Sequence, residues 1–218
     1  MFSGIVEEIG AIQAIDKGLA GAKFSILASL ILEDLKLGDS ISVAGACLTA
    51  SQVGDMGFSV DVSTETLNCT TLGTIPVGTP VNLERAMKLN ARMGGHLVTG
   101  HVDGIGILRA RHQDGNTIQL TVEAPEDIIR YCVAKGSITV DGISLTINAV
   151  SDRSIAVAII PHTAKVTTMG LKQIGDPVNL ESDLIGKYVE RLLQASGTLA
   201  PKPAPVIDRD YLQKRGLL

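Results

Sequence analysis

One ten-residue stretch of the sequence occurs twice, and this repetition predicts the fold. Residues 40–49 read SISVAGACLT, and residues 137–146, which lie 97 positions later, read SITVDGISLT. At the same offset, GTPVNLE at residues 78–84 returns as GDPVNLE at residues 175–181. No gap is needed between residues 40 and 84, and about 19 of the 45 aligned pairs are identical. Because this period is too long for a solenoid repeat, the chain is a tandem duplication of one domain.

Each copy of the repeat shows the pattern of short β-strands. Polar and apolar residues alternate in residues 40–43, 58–62 and 117–122, and glycines bound these stretches. Helix-like pieces and turns are few, at residues 30–35, 64–69, 125–132 and 161–166. Several short strands in a unit of this size predict a small closed barrel, because closure leaves no exposed strand edge. We therefore expect an all-β fold of two tandem six-stranded, Greek-key-like β-barrels, followed by a C-terminal α-helix.

The duplication and the sequence after it predict four regions. The first barrel covers residues 1–96, and the second covers residues 97–185. After both copies, Val189, Leu192 and Leu193 fall on one side of a helix, which predicts an amphipathic helix over residues 186–197. Residues 198–218 contain three closely spaced prolines and predict a flexible tail.

The composition excludes several classes of protein. Of the 218 residues, 45% are hydrophobic, so the chain can bury a core. The formal net charge of −4 disfavours nucleic acid or an anionic membrane as a partner. No apolar run is long enough to span a membrane, and the N-terminus lacks the features of a signal peptide. Three cysteines without a CxxC pair favour the reducing cytoplasm over a disulfide scaffold.

The sequence also lacks the usual cofactor motifs. It contains no P-loop, no glycine-rich dinucleotide-binding fingerprint and no nucleophile elbow. His96 and His101 are five positions apart, a spacing that does not define a metal site. We therefore expect neither a metal ion nor a nucleotide cofactor.

The positions at which the two copies differ carry reactive groups. The aligned but different pairs are Cys47 and Ser144, Ala44 and Asp141, Ile5 and His101, and Glu65 and His162. Two ligands held alike on one scaffold would therefore meet different groups, as a reaction between them requires.

Structural explanations compete with these functional ones at each position. A free cysteine is most often a small buried apolar residue, a histidine can be satisfied inside a barrel, and an aspartate before a glycine is a turn signal. For the matched glycines 45 and 142 and the matched leucines, maintenance of the barrel is favoured over a close approach to a ligand. The matched Thr49 and Thr146 fit either explanation equally.

Four stretches together resemble the riboflavin synthase alpha chain family. They are MFSGIV at residues 1–6, GACLT at 45–49, GGHLVTGHVDG at 94–104 and DGISLT at 141–146. The resemblance covers residues 1 to about 195 and leaves the tail unmatched. It implies a cofactor-free dismutation of two 6,7-dimethyl-8-ribityllumazine molecules to riboflavin and 5-amino-6-(D-ribitylamino)uracil, the last step of riboflavin biosynthesis. It also implies a cytoplasmic homotrimer assembled through the C-terminal helix, with each active site between barrels of neighbouring subunits. An association with lumazine synthase is left open.

The resemblance also implies a set of site residues. The expected contacts grouped with the first barrel are Gly4, Ile5, Val6, Cys47, Leu48, Thr49, Asp61, Val62, Ser63, Thr64, Glu65 and Thr66. Those grouped with the second barrel are Gly100, His101, Val102, Lys135, Ser144, Leu145, Thr146, Ile159, Ile160, Pro161, His162, Thr163 and Ala164. The residues implicated in chemistry are Phe2, Ser40, Cys47, His101, Asp141, Ser144 and Thr146.

Roles within this set are hypotheses. His101 is favoured for proton transfer, because a neutral imidazole is available near pH 7. Cys47 and the pair formed by Asp141 and Ser144 are assigned to activating the acceptor lumazine or its nucleophile. Two other functions stay open at this point: a non-catalytic lumazine- or flavin-binding fluorescent protein of the same fold, and a structural double barrel without a ligand.

Overall fold

In the computed structural model, which describes residues 1–198 together with residues 209 and 212, twelve strands form two closed six-stranded barrels. The first barrel comprises β1 (Glu8–Gly18), β2 (Gly21–Leu27), β3 (Ser40–Val43), β4 (Ala46–Gly54), β5 (Gly57–Ser63) and β6 (Pro80–Arg85). The second comprises β7 (Gly104–Asp114), β8 (Thr117–Glu123), β9 (Ser137–Val140), β10 (Ile143–Val150), β11 (Ser154–Ile159) and β12 (Pro177–Ser182). The predicted fold class is confirmed.

Both barrels have the same topology. The order around the first is β1-β2-β5-β4-β3-β6, and the order around the second is the equivalent β7-β8-β11-β10-β9-β12. All the strand pairs are antiparallel. β2 pairs with β5 and not with β3, which is the connection of a Greek key. Alternation along each strand sends Phe24, Ile41 and Leu83 into one core, and Leu120 and Ile138 into the other.

Within residues 1–198, the barrels are accompanied by the α-helices α1 (Thr64–Cys69), α2 (Glu126–Ile129), α3 (Pro161–Val166) and α4 (Leu184–Ala195). The helix α4 begins two residues before the predicted position. The Asp183 side chain accepts a hydrogen bond from the Ile185 backbone N–H at 2.9 Å, and this cap fixes the start. Among the described residues, no helix has both the length and the apolar character needed to cross a membrane. Apart from residues 198, 209 and 212, the predicted tail lies outside the described residues.

The two barrels meet through reciprocal asparagine bridges. The Asn82 side chain donates to the carbonyl of Asp141 at 2.9 Å and accepts from the backbone N–H of Thr168 at 2.7 Å. In the opposite direction, Asn179 donates to the Ala44 carbonyl at 2.8 Å and accepts from a backbone N–H of the first barrel. Both asparagines are buried and belong to the repeated PVNLE stretch. Duplication therefore produced an interface with approximate two-fold symmetry.

Candidate functional site

Two segments cross from one barrel to the other just before each barrel begins. We call residues 3–6 and 99–102 the crossing segments. The backbone N–H of Ser144 on β10 donates to the Gly4 carbonyl at 2.8 Å, and that of Cys47 on β4 donates to the Gly100 carbonyl at 2.8 Å. Val6 packs against the core of the second barrel, and Val102 against the core of the first. Each crossing segment therefore forms a wall on the opposite barrel.

This arrangement corrects the grouping expected from the sequence. Residues 4–6 were expected beside Cys47, and residues 100–102 beside Ser144; the structure exchanges them. The repeat aligns each segment with its own copy, but alignment carries no information about the barrel against which the segment packs. With the crossing segments exchanged, the residues predicted beside Cys47 are 47–49, 61–66 and 100–102, and we call this predicted set the first pocket. Those predicted beside Ser144 are residues 144–146, 159–164 and 4–6, and we call this predicted set the second pocket.

Glycine is required where each crossing segment meets the opposite barrel. Gly4 and Gly100 have φ values of +77° and +78°. A Cβ on Gly4 would lie 2.6 Å from the Ser144 Cβ, and a Cβ on Gly100 would lie 2.5 Å from the Cys47 Cβ. Both the left-handed backbone and the lack of space exclude a side chain. The crossing segments therefore contact Ser144 and Cys47 through the main chain of Gly4 and Gly100.

The pocket residues divide by what they offer to a ligand. The Leu48, Leu145, Val62 and Ile159 side chains are buried in the barrel cores, so only their main chain is available. Exposed polar side chains come from Thr49 and Asp61, from residues 63, 65 and 162, and from Thr146 and His101. Cys47 and Ser144 are half-buried at equivalent places on β4 and β10. Each pocket thus combines an apolar floor with hydroxyl, carboxylate or imidazole groups.

Three predicted residues lie away from this arrangement or at its edge. Lys135 is exposed in the turn before β9, where its N–H donates to the Ile147 carbonyl at 2.7 Å. Ser40 is half-buried and, together with Ile5, lines an open cavity of about 650 Å³. Phe2 is completely buried and forms a backbone bridge with Val98. The Phe2 side chain is therefore buried in this structure, and its predicted part in the chemistry stays a prediction.

Asp141 is also not a pocket residue. Its carboxylate is only 2% exposed, accepts from the backbone N–H of Asn179 at 2.7 Å and lies 3.3 Å from the Lys172 ammonium. Burial raises the pKa of this carboxyl, and Lys172 opposes that effect. The backbone at Asp141 is left-handed, with φ of +48°, in the turn that contacts the first barrel. The structure thus places Asp141 in the turn before Ser144, with its carboxylate bonded within the protein, and its predicted chemical role stays a prediction.

The structure adds one residue that the sequence reasoning missed. The Nδ1 atom of His96 lies 2.7 Å from the Ser144 hydroxyl oxygen. Burial lowers the pKa of His96, so its imidazole is neutral near pH 7 and can accept a hydrogen bond from that hydroxyl. His96 was considered only as a metal ligand with His101, and the described residues hold no cluster suited to a metal ion.

Comparisons with known proteins account for both halves of the chain. Residues 3–86 and 99–183 each match the lumazine binding domain. The twin-barrel fold and these two matches therefore define a protein of the duplicated lumazine-binding-domain class.

Full-length relatives narrow this class. A riboflavin synthase from Actinobacillus pleuropneumoniae is 44% identical over 216 residues, which are 99% of this chain and 100% of that protein. The riboflavin synthase of Bacillus subtilis (strain 168) is 41% identical, with 99% and 100% covered. That of Schizosaccharomyces pombe is 43% identical, with 89% and 95% covered. The chain belongs to the riboflavin synthase family.

Solved structures with the same fold contain bound ligands. LumP complexed with 6,7-dimethyl-8-(1'-D-ribityl) lumazine superposes with a TM-score of 0.76 at 26% identity, covering 84% of this chain and 99% of that one. LumP complexed with riboflavin gives a TM-score of 0.78 at 26% identity and the same coverage. The sequence identity to these structures is well below that to the riboflavin synthases.

Proposed function

We propose that this protein catalyses the dismutation of two 6,7-dimethyl-8-ribityllumazine molecules. A four-carbon unit leaves one lumazine and joins the other, which yields riboflavin and 5-amino-6-(D-ribitylamino)uracil. The atoms of the two substrates are all accounted for in the two products, so the reaction needs no external oxidant and no cofactor. The observation that carries this proposal is that Cys47 and Ser144, two different reactive groups, occupy equivalent places on β4 and β10 and make equivalent backbone contacts with the crossing segments.

Proximity supplies much of the rate enhancement. Two copies of one substrate bound in fixed orientation gain roughly 7–11 kcal/mol over the same molecules colliding in solution. The 7-methyl group of one lumazine must lose a proton, and the negative charge then spreads into the ring carbonyls. Backbone N–H and hydroxyl donors held in fixed positions around the ring would stabilise that charge without reorganising.

The proposed roles follow from position. His101 and Cys47 flank the first pocket, where His101 is exposed and free to exchange a proton with the ligand. In the second pocket, we assign neutral His96 as the acceptor for the Ser144 hydroxyl, whose oxygen lies 2.7 Å from Nδ1. In that role His96 increases the nucleophilicity of the Ser144 oxygen. Thr49 and Thr146, exposed at equivalent positions, provide hydroxyls for the ribityl chains.

We also propose that the protein acts as a homotrimer in the cytoplasm. The helix α4 exposes a run of large apolar side chains: Ile185, Tyr188, Val189, Leu192 and Leu193. Its orientation on the second barrel is fixed by Glu190, which accepts hydrogen bonds from both Arg130 and Tyr131. An anchored apolar surface of this kind suits a subunit contact through residues 186–197. The first pocket of one subunit would then face the second pocket of its neighbour. An association of this trimer with lumazine synthase belongs to the same proposal.

One experiment tests the function and the assembly together. Purified protein is mixed with 6,7-dimethyl-8-ribityllumazine, riboflavin absorbance is followed, and the same sample is sedimented. We expect riboflavin in half the molar amount of lumazine consumed, and a trimer. Lumazine binding without riboflavin formation would instead identify a non-catalytic binding protein like the LumP structures.

A further inference from the structure

Two buried carboxylates hold the two crossing segments. Glu84 at the end of β6 accepts hydrogen bonds from the Ser3 backbone N–H at 2.7 Å, the Ser3 hydroxyl at 2.8 Å and the Gly4 backbone N–H at 3.0 Å. The Glu84 residue is only 5% exposed. One carboxylate therefore gathers three donors from a single crossing segment.

Glu181 on β12 repeats this arrangement in the other half. It accepts from the Thr99 N–H at 2.8 Å, the Thr99 hydroxyl at 2.6 Å and the Gly100 N–H at 3.0 Å, and it is 3% exposed. Among residues 1–198, neither Glu84 nor Glu181 has a cation within ion-pair distance. Burial raises the pKa of both carboxyls, which shows that the ionised form is costly here. Each glutamate thus serves as the hydrogen-bond acceptor for its crossing segment.

We propose that Glu84 and Glu181 are positioning residues that act crosswise, each on the pocket of the opposite barrel. Glu181 lies in the second barrel but holds the segment that presents His101 beside Cys47, so it sets the first pocket. Glu84 lies in the first barrel but holds the segment that meets Ser144, so it sets the second pocket. The inference rests on the proposed function insofar as these pockets bind lumazine.

The chemistry of the carboxylate explains why glutamate serves here. Its two oxygens only accept hydrogen bonds, and all three groups that face each glutamate are donors. Glutamine has the same shape but places an NH₂ group against one backbone N–H, so one donor opposes another. The Gly4 or Gly100 N–H then loses its acceptor in a buried place, and the crossing segment shifts away from the pocket.

The test uses the full chain with Glu84→Gln and Glu181→Gln. Each variant is combined with Cys47→Ala from the first pocket and with Ser144→Ala from the second, and kcat/KM for lumazine is measured. We expect each glutamine variant alone to lower kcat/KM about 10-fold or more, as for loss of a hydrogen bond to a charged group. Glu181→Gln should be non-additive with Cys47→Ala but additive with Ser144→Ala. Glu84→Gln should show the reverse pattern.

The matched controls are Ser3→Ala and Thr99→Ala, which remove one hydroxyl donor each and keep both backbone N–H bonds. We expect these variants to lower kcat/KM by less than about 10-fold with the same crosswise couplings. They also carry the test if either glutamine variant does not fold. The proposal is overturned if both glutamates couple to the same pocket, if all the cycles are additive, or if thermal stability falls while the pocket kinetics stay at the wild-type level.

A second readout separates this proposal from the proposed function. Riboflavin binding to each variant is measured by equilibrium dialysis, which needs no turnover. We expect Glu181→Gln to weaken only the site that Cys47→Ala weakens, and Glu84→Gln only the site that Ser144→Ala weakens. If wild-type protein forms no riboflavin, the proposed function fails, whereas this crosswise pattern of binding still supports or refutes the positioning roles.

Discussion

At the scale of single residues, Gly100 combines a left-handed backbone with too little room for a side chain. Replacing it with alanine places a Cβ 2.5 Å from that of Cys47 and forces a left-handed backbone on a residue with a side chain. We expect Gly100→Ala to lower the free energy of unfolding by about 2–4 kcal/mol, from strain and overpacking together. The control is Gly38→Ala, at φ of +89° with no atom within 4 Å, which should cost only about 1 kcal/mol in urea unfolding. Equal losses for the two variants would contradict this interpretation.

His101 and Cys47 give a kinetic prediction. If they act on bound lumazine, His101→Gln and Cys47→Ala should each lower kcat by about 10²-fold or more, while lumazine KM changes much less. Steady-state rates of riboflavin formation over a range of lumazine concentrations separate the two parameters. Wild-type turnover in both variants would refute the roles.

His96 gives a prediction on pH dependence. Because burial lowers the pKa of His96 below the ordinary value of 6.5, the unfolded chain binds a proton that the folded chain resists. The stability due to neutral His96 is therefore present above that ordinary value and is lost as the pH falls; the charge of Asp183 partly offsets this effect. We expect the free energy of unfolding to fall less in His96→Gln than in wild type between about pH 7.5 and about pH 5.5. Urea titrations at the two pH values measure the difference, and equal falls would contradict the prediction.

Residue identities could be predicted from the sequence better than residue surroundings. Comparison of the two copies selected Cys47, Ser144 and His101, which differ between the copies. Cys47 and Ser144 contact the crossing segments, and His101 is part of one of them. The same comparison gave no reason to select Glu84, since it is matched by Glu181 and a conserved match was interpreted as barrel geometry. A charged residue repeated within a buried strand was the signal that could have revealed both.

At the scale of elements, the exposed apolar face of α4 is the surface proposed to contact a neighbouring subunit. Leu192 is 67% exposed in the chain, so Leu192→Glu leaves barrel packing intact but places a charge within the proposed subunit contact. We expect sedimentation to change from trimer to monomer and riboflavin formation to fall at least about 10-fold, because each reaction needs pockets from two subunits.

The matched control for this prediction is Gln194→Glu, which adds the same charge on a half-buried polar position of the same helix. This variant should stay a trimer with wild-type activity. A trimeric, fully active Leu192→Glu variant would remove α4 from the proposed assembly.

Strands were more predictable than helix ends. Period-two alternation predicted β3 at its observed bounds, and the repeat carries the same bounds to β9. Ile41 and Val43 enter the barrel core as the alternation predicts, whereas Ser42 between them is buried as well. The start of α4 depends on Asp183, a capping side chain outside the apolar pattern, and was therefore placed too late.

At the scale of the whole molecule, the asparagine bridges hold the barrels together. Asn82→Ala leaves the Asp141 carbonyl and the Thr168 N–H buried without their partner. We expect a loss of about 2–4 kcal/mol in the free energy of unfolding measured with urea. The control Asn148→Ala removes an exposed, 3.4 Å hydrogen bond and should change that free energy by less than about 0.5 kcal/mol. A similar change in both variants would show that the bridges contribute little.

The duplication itself was evident in the sequence, but the exchange of the crossing segments was not. Two copies related by one offset are equally compatible with segments that pack on their own barrel or on the other. The choice depends on the contact between the barrels, where Gly45 and Gly142 approach closely and place the start of each barrel beside the partner barrel's β4 or β10. Tertiary contact therefore decided what periodicity could not.

The exchanged segments also limit how such a gene can recombine. A chimaera that joined the first half of one relative to the second half of another would mismatch the seams at Gly4 and Gly100 at once. Each pocket is encoded by stretches that lie far apart in the gene. A recombination event that keeps one pocket intact must therefore take its barrel and the crossing segment of the other half from the same parent. Substitutions in a crossing segment and in the opposite barrel must therefore remain compatible, although each half of the chain looks like a separate module.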